Sequence, residues 1–305
     1  MKLPIQRKYA AVLVSIVLIS LSFLFIKTSA QDADTSQGLS VTPASQEVSS
    51  DPGKTATVTT TIRNPSRHSL PIKVRIEDFT ATGEEGQVAL TSESDYSVTG
   101  WTQVTPNTFT LGPGKEQKVT AVIRVPKDAA GGRYGSFVFS VAPENATPGS
   151  AQVAQEIASL FLMRINGPVN EVLSLNKLSA PPFSEQGPIP FEMSFKNSGN
   201  VHVKTFGLLN VTGMFNKKIA DIVVKPSNVF PGAERVITTS LDKEFLIGPY
   251  TATAVMYYGN SNEALNSTIT FFVFPIRLVG IALLVLMFFW LIRKRLRKAM
   301  KALFS

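Results

Sequence analysis

The chain has 305 residues, no cysteine and two histidines, His68 and His202, which excludes disulfides, thiolate metal sites and cysteine nucleophiles. Its formal net charge of +8, from 30 Lys and Arg against 22 Asp and Glu, sits in the flanks: four basic residues lie in 1–30 and seven in 276–305, with no acid in either. The middle keeps the other 19 basic residues and all 22 acids, and this mildly acidic balance excludes the electrostatic footprint of a nucleic-acid binder.

Lys2, Arg7 and Lys8 precede an apolar stretch from Tyr9 to Ile26, which ends at Thr28, Ser29 and Ala30. This layout predicts a secretory signal peptide over 1–30 cleaved after Ala30, the alternative being an uncleaved signal anchor. An exported chain without cysteine points to a bacterial envelope protein, since small secreted eukaryotic modules depend on disulfides.

Downstream the pattern is that of strands. Ala56, Val58, Thr60 and Ile62 alternate with polar residues; Ile72, Val74 and Ile76 then share one face while Lys73, Arg75 and Glu77 share the other, the signature of a half-buried strand. Ala121, Ile123 and Val125 continue the series, as do Phe137, Phe139 and Val141. A polar loop is expected over Pro143 to Ser150. A second series opens at Phe191, Met193 and Phe195 and continues around Leu209 and Val211, around Val236 and Thr238, and from Tyr250 to Tyr258. Turn sequences such as Asp51-Pro52-Gly53, Gly112-Pro113-Gly114 and Pro231-Gly232 separate these runs. Short strands between such turns predict an all-β chain of two tandem immunoglobulin-like β-sandwiches, over 38–166 and 167–272.

Residues 271–292 are almost wholly apolar, interrupted only by Pro275 and Arg277, and about 22 residues at about 1.5 Å each span the hydrocarbon core. The basic run Arg293-Lys294-Arg295-Leu296-Arg297-Lys298 follows at once. Lysine and arginine accumulate on the cytoplasmic side, so a single-pass membrane protein is expected, with its ectodomain extracellular and 293–305 a short cytoplasmic tail.

One phrase occurs twice, which argues for two related modules. Pro113-Gly114-Lys115-Glu116 leads through a strand to Gly132-Arg133-Tyr134, and Pro231-Gly232-Ala233-Glu234 leads to Gly248-Pro249-Tyr250. Upstream of each lies an apolar strand ending in asparagine, Asn64 or Asn197. Proline-glycine makes a tight turn, and the tyrosine opens the returning strand with a ring that packs at the sandwich edge and a hydroxyl that reaches backbone.

With Asn64-Pro65-Ser66, Pro113-Gly114-Lys115-Glu116 and the run from Val125 to Ser136, the chain resembles the WxL-interacting proteins of Gram-positive cell surfaces. That resemblance implies two immunoglobulin-like domains, the membrane-distal one associated with peptidoglycan and the proximal one with a host or partner ligand. No Trp-x-Leu triplet occurs, so the chain looks like the interacting partner.

No catalytic constellation emerges. The histidines lie beside turns, where a surface or strand-end position is expected, and a catalytic histidine needs a nucleophile and an orienting partner. Glu84-Glu85 and Glu93 with Asp95 lack the alternating oxygen ligands of a calcium loop and are expected to be solvated. No enzyme activity, cofactor or metal is expected. Tyr96 and Trp101 are the candidate binding residues, because exposed aromatic rings stack on sugars and anchor partners; the alternative for Trp101 is a place in a sandwich core. The function expected is membrane-anchored display, at the cell surface, of two modules that bind cell-wall peptidoglycan or another surface protein. The alternative is an envelope assembly factor that works by β-strand addition, which a long unpaired edge would favour.

Overall fold

The computed structural model describes residues 38–141, 155–259 and 263–303, without the side chains of 294–303. The signal peptide expected over 1–30 and the loop expected from Pro143 to Ser150 lie outside the described residues.

The chain forms two β-sandwiches followed by one helix. In the first sandwich, β1 (Ser40–Thr42), β3 (Thr55–Arg63), β8 (Glu116–Arg124) and β6 (Thr102–Thr105) form one sheet in that order. The facing sheet runs β2 (Ser45–Ser50), β10 (Glu156–Ile165), β9 (Gly131–Val141), β4 (Leu70–Thr82) and β5 (Gln87–Thr91), with β7 (Thr108–Leu111) also on β4. Along β3 the alternation expected from sequence is realised: Ala56, Val58, Thr60 and Ile62 are buried. They meet Ile72, Val119, Phe137, Phe139 and Phe161 in the core. Each buried ring of this kind stabilises the fold by about 1.5–3 kcal/mol relative to exposure.

The second sandwich pairs a sheet of β11 (Leu173–Ser179), β13 (Ile189–Asn197) and β16 (Glu234–Leu241) with another of β12 (Phe183–Ser184), β18 (Glu263–Val273), β17 (Gly248–Tyr258), β14 (Val203–Thr212) and β15 (Lys218–Val229). Phe191, Met193, Phe195, Leu209 and Phe271 fill its core. The helix α1 (Ile276–Leu303) starts three residues after β18 ends.

The repeated phrase has one physical meaning in both sandwiches. Asn64 and Asn197 are fully buried at strand ends. The Asn64 side-chain amide donates to the carbonyls of His68 and Leu111, and its backbone carbonyl accepts from Gly114 N at 2.8 Å. The Asn197 amide donates to the carbonyls of Val201 and Val229, and its carbonyl accepts from Gly232 N at 2.9 Å. A single asparagine thus satisfies its own turn and staples it to the proline-glycine turn, so that the buried side-chain amides of Asn64 and Asn197 both have partners. The tyrosines after the second glycines also reach backbone, but differently. Tyr250 bonds Ile247, three residues away, whereas the Tyr134 hydroxyl accepts from His202 N at 2.7 Å, in the other sandwich.

Candidate functional site

Tyr96 and Trp101 lie in the connection from β5 to β6, shaped by one buried carboxylate. Asp78, on β4, is 3% exposed. It accepts hydrogen bonds from Ser97 Oγ at 2.5 Å, Val98 N at 2.9 Å, Thr99 N at 3.1 Å and Thr99 Oγ1 at 2.8 Å. These four donors compensate its desolvation and fix the turn between the two aromatic residues. Both rings are half-buried. Trp101 packs against the core of the first sandwich, with the Arg133 guanidinium 5.1 Å from its ring centre, a cation–π contact. Tyr96 packs on Tyr134, 5.8 Å between ring centres. The structure does not bring the two candidates together as one exposed platform.

Tyr96 belongs instead to the junction between the sandwiches. Phe79, Tyr134 and Leu162 from the first sandwich bury Phe230 from the second. The Tyr134 and Phe230 rings stand edge to face at 4.9 Å, as do those of Phe79 and Phe230 at 5.6 Å, the arrangement preferred by aromatic quadrupoles. Around this cluster Gly132 N donates to Asn200 O at 2.8 Å and Val236 N to Glu84 O at 2.6 Å, both across the junction. Gly131 has φ +78, and a Cβ there would lie 2.6 Å from Asn200 O, so the close approach of the two backbones requires glycine.

His202 was expected at a surface or strand end; it stands just before β14 and is only 8% exposed, its ring 5.6 Å from that of Tyr134. Burial pushes its imidazole down to about 4, because desolvation disfavours the charged ring. Burial likewise pushes the Tyr134 phenol up. Beside His202 opens a groove of about 390 Å³ lined by Glu47, Arg164, Glu171, Lys204 and Phe206. Its charges are paired among themselves: Arg164 with Glu171, and Lys204 with Glu47 at 3.7 Å. The Asn228 amide, at 3.0 Å, holds the Glu47 carboxyl below the usual carboxylate range, with Lys204 adding to it. These pairs brace the junction and aim no spare charge into the groove. Among the described residues no group of three or more His, Asp or Glu is placed to hold a metal ion.

The long open edge lies elsewhere. Strand β15 spans 12 residues and, among the described residues, ends its sheet and pairs only with β14. A bulge opposite Thr205 to Gly207 takes in Lys225 and Pro226, and proline and lysine are residues that blunt an edge. Residues 218–224, Lys-Ile-Ala-Asp-Ile-Val-Val, carry no proline or glycine. Val223 is 74% exposed, and its cross-strand neighbour Leu208 is exposed as well. Val255 lies on the other side of Leu208, and Phe206 stacks on Tyr257 at 5.9 Å. The edge is therefore continuous with an apolar outer sheet face. The strand series read from the sequence passes over 218–229; the signal present was the β-branched run 222–224 ahead of Lys225-Pro226.

No protein-family model matches the chain, and no curated protein matches it. Similar solved structures include a chaperone–tip adhesin complex of CFA/I fimbriae (11% identity, TM-score 0.41, covering 77% of this chain and 98% of that one). Another is the class 5 fimbriae chaperone CfaA (13%, TM-score 0.38, 77% and 99%), and a third the E. coli chaperone DraB (10%, TM-score 0.35, 77% and 96%). The expected membership of the WxL-interacting proteins is corrected by these findings: the similar structures named here are of fimbrial chaperones. The physical reason is that the motifs behind that resemblance are strand-end asparagines, proline-glycine turns and a glycine-rich return strand, which specify how a sandwich turns and not what it binds.

Proposed function

We propose that this chain is a helix-anchored envelope factor that captures an extended segment of a partner protein by β-strand addition along β15. The observation that carries this reading is the open, apolar edge at 218–224. Unpaired N–H and C=O groups template an incoming strand, and β proteins ordinarily blunt such an edge. An added strand gains backbone hydrogen bonds, while alternate side chains extend the face made by Val223 and Leu208. An exported subunit with an alternating apolar segment, of the class named with the chaperones above, is the partner proposed; the edge and not the likeness supports it. The reading is of a binding protein without catalysis.

Anchoring is part of the proposal. The first 18 residues of α1 have a mean hydropathy of 2.2 and none is buried, which supports a membrane span with the sandwiches outside and the basic tail inside.

A photo-crosslinking amino acid at Asp221 tests the edge in native membranes. Adducts are expected on one short alternating segment of an exported protein, and an added Val223→Lys is to reduce them about tenfold or more, equivalent to about 1.4 kcal/mol of lost pairing. Adducts indifferent to Val223→Lys, or arising only from a probe beside Trp101, would refute strand capture in favour of the display reading.

A further inference from the structure

Strand register places one end of the second sandwich beside the helix. Gly248 of β17 lies opposite Val273 of β18, and Thr212 of β14 opposite Thr251. The loops 213–217 and 242–247 and the short strand β12 therefore share the end at which β18 runs into α1. The opposite end, with Asn197 to Val203 and Phe230, meets the first sandwich.

Outside the helix, eleven large apolar side chains are exposed among the described residues, and six of them, Phe183, Met214, Phe215, Phe245, Ile247 and Phe272, are at this helix-side end. Phe215 is the extreme case, at 96% exposure. Among the described residues it packs on nothing that would explain it, and the turn does not favour it. Phe215 and Asn216 have φ 59 and 56, and Lys217 N donates to Met214 O at 3.3 Å. This is a hairpin turn with two left-handed central residues, where glycine and asparagine are preferred and a bulky residue is strained. Neither packing nor turn chemistry accounts for a phenylalanine there.

The connection to the helix is short and held. Phe272 N donates to Pro182 O and Phe274 N to Ser184 O, both at 3.0 Å. Phe272 stacks between Phe183 and Phe274, and Arg277 pairs with Glu185 at 3.2 Å. The 18-residue apolar window beginning at Ile276 spans about 27 Å, slightly less than the hydrocarbon core of about 30 Å. A spanning helix therefore has no residues to spare as a stalk, and Phe274 and Pro275 fall at headgroup depth. Three residues reach at most about 10 Å, so the adjoining loop tips stand at the same layer.

We infer that the helix-side end of the second sandwich is seated in the outer membrane–water interface, with Met214, Phe215, Phe245 and Ile247 inserted among the lipids that surround α1. This rests on the reading of α1 as a membrane span. Charge does not drive the contact: Lys217, Lys218, Lys243 and Arg277 share this end with Glu185, Asp221, Asp242 and Glu244, Lys218 being paired with Asp221. The occupant is thus the apolar interface itself and not anionic headgroups in particular. The seat fixes the sandwiches upright on the membrane and presents β15 from its first residue at the lipid surface.

The test uses the full chain in phosphatidylcholine nanodiscs, with brominated acyl chains as quenchers. The native tryptophans are Trp101 and Trp290. In a Trp101→Phe, Trp290→Phe background, Phe215→Trp and Phe245→Trp report the loops; Trp101→Phe alone leaves Trp290 to report the helix. Circular dichroism checks that each variant keeps its β signal. Loss of emission at 215 and 245 on bromination, with a shift to shorter wavelength that persists at high salt, is expected. Emission at 215 and 245 at the wavelength of water, with Trp290 quenched, overturns the inference and leaves the anchor standing. An unquenched Trp290 overturns both. Quenching of the loops only when phosphatidylglycerol is added, and lost in salt, overturns the apolar seat in favour of a charge contact.

Discussion

Acidification destabilises the fold through His202. Its imidazole, pushed down to about 4 by burial at the junction, takes up a proton in the unfolded chain near the ordinary value of about 6.5. The folded pKa is the depressed one, so the stabilisation from keeping this ring neutral is present above about 6.5 and is lost as pH falls towards 4. The two binding curves give a loss of about 2 kcal/mol at pH 5 and about 3 kcal/mol at pH 4, relative to pH 7.5. Burial is the leading cause; the Glu47 and Glu171 carboxylates pull the other way, and the Arg164 and Lys204 charges add to the depression. His202→Phe keeps a ring against Tyr134 and Phe230 and removes the titration. Urea unfolding of the full chain in micelles, followed by the far-ultraviolet β signal at pH 7.5 and 5, measures the difference. The wild type is to lose about 2 kcal/mol more than the variant over that interval. Equal losses in wild type and His202→Phe would refute the reasoning, since they would mean that the ring is charged or solvated in the folded chain.

Gly131→Ala is expected to loosen the junction without touching either core: its left-handed backbone costs a side chain about 1–2 kcal/mol, and the added Cβ meets Asn200 O. Amide exchange at Gly132 and His202 should rise while the centres of β3 and β13 stay protected. Trp101→Ala is expected to lower stability by less than the about 3–5 kcal/mol of a fully buried ring, because the indole is half-buried under Arg133. A melting temperature unchanged by that substitution would show that the ring contributes no packing.

The all-β architecture was legible because its signals are local. Alternation in Ala56 to Ile62 and Phe191 to Phe195, and turns at Pro113-Gly114 and Pro231-Gly232, act over a few residues, and period-two patterns name the buried face of a strand wherever it pairs. The buried asparagines were legible as a repeat, although their bonds to turns 47 and 32 residues away were not. What the sequence left open was every feature made by two distant segments. Tyr134 reads as an edge tyrosine like Tyr250, yet its hydroxyl reaches across 68 residues to His202; nothing in Gly132-Arg133-Tyr134 says which backbone it will meet. His202 reads as a turn histidine and is buried at the junction, between Tyr134 of the first sandwich and Phe230 of the second. Strand β15 becomes an open edge, and the 213–217 and 242–247 loops become neighbours of the helix, through sheet order and register. Those depend on which strands pair, a choice set by packing the whole core, and so a linear pattern fixes the faces of these strands while only the folded chain decides their neighbours.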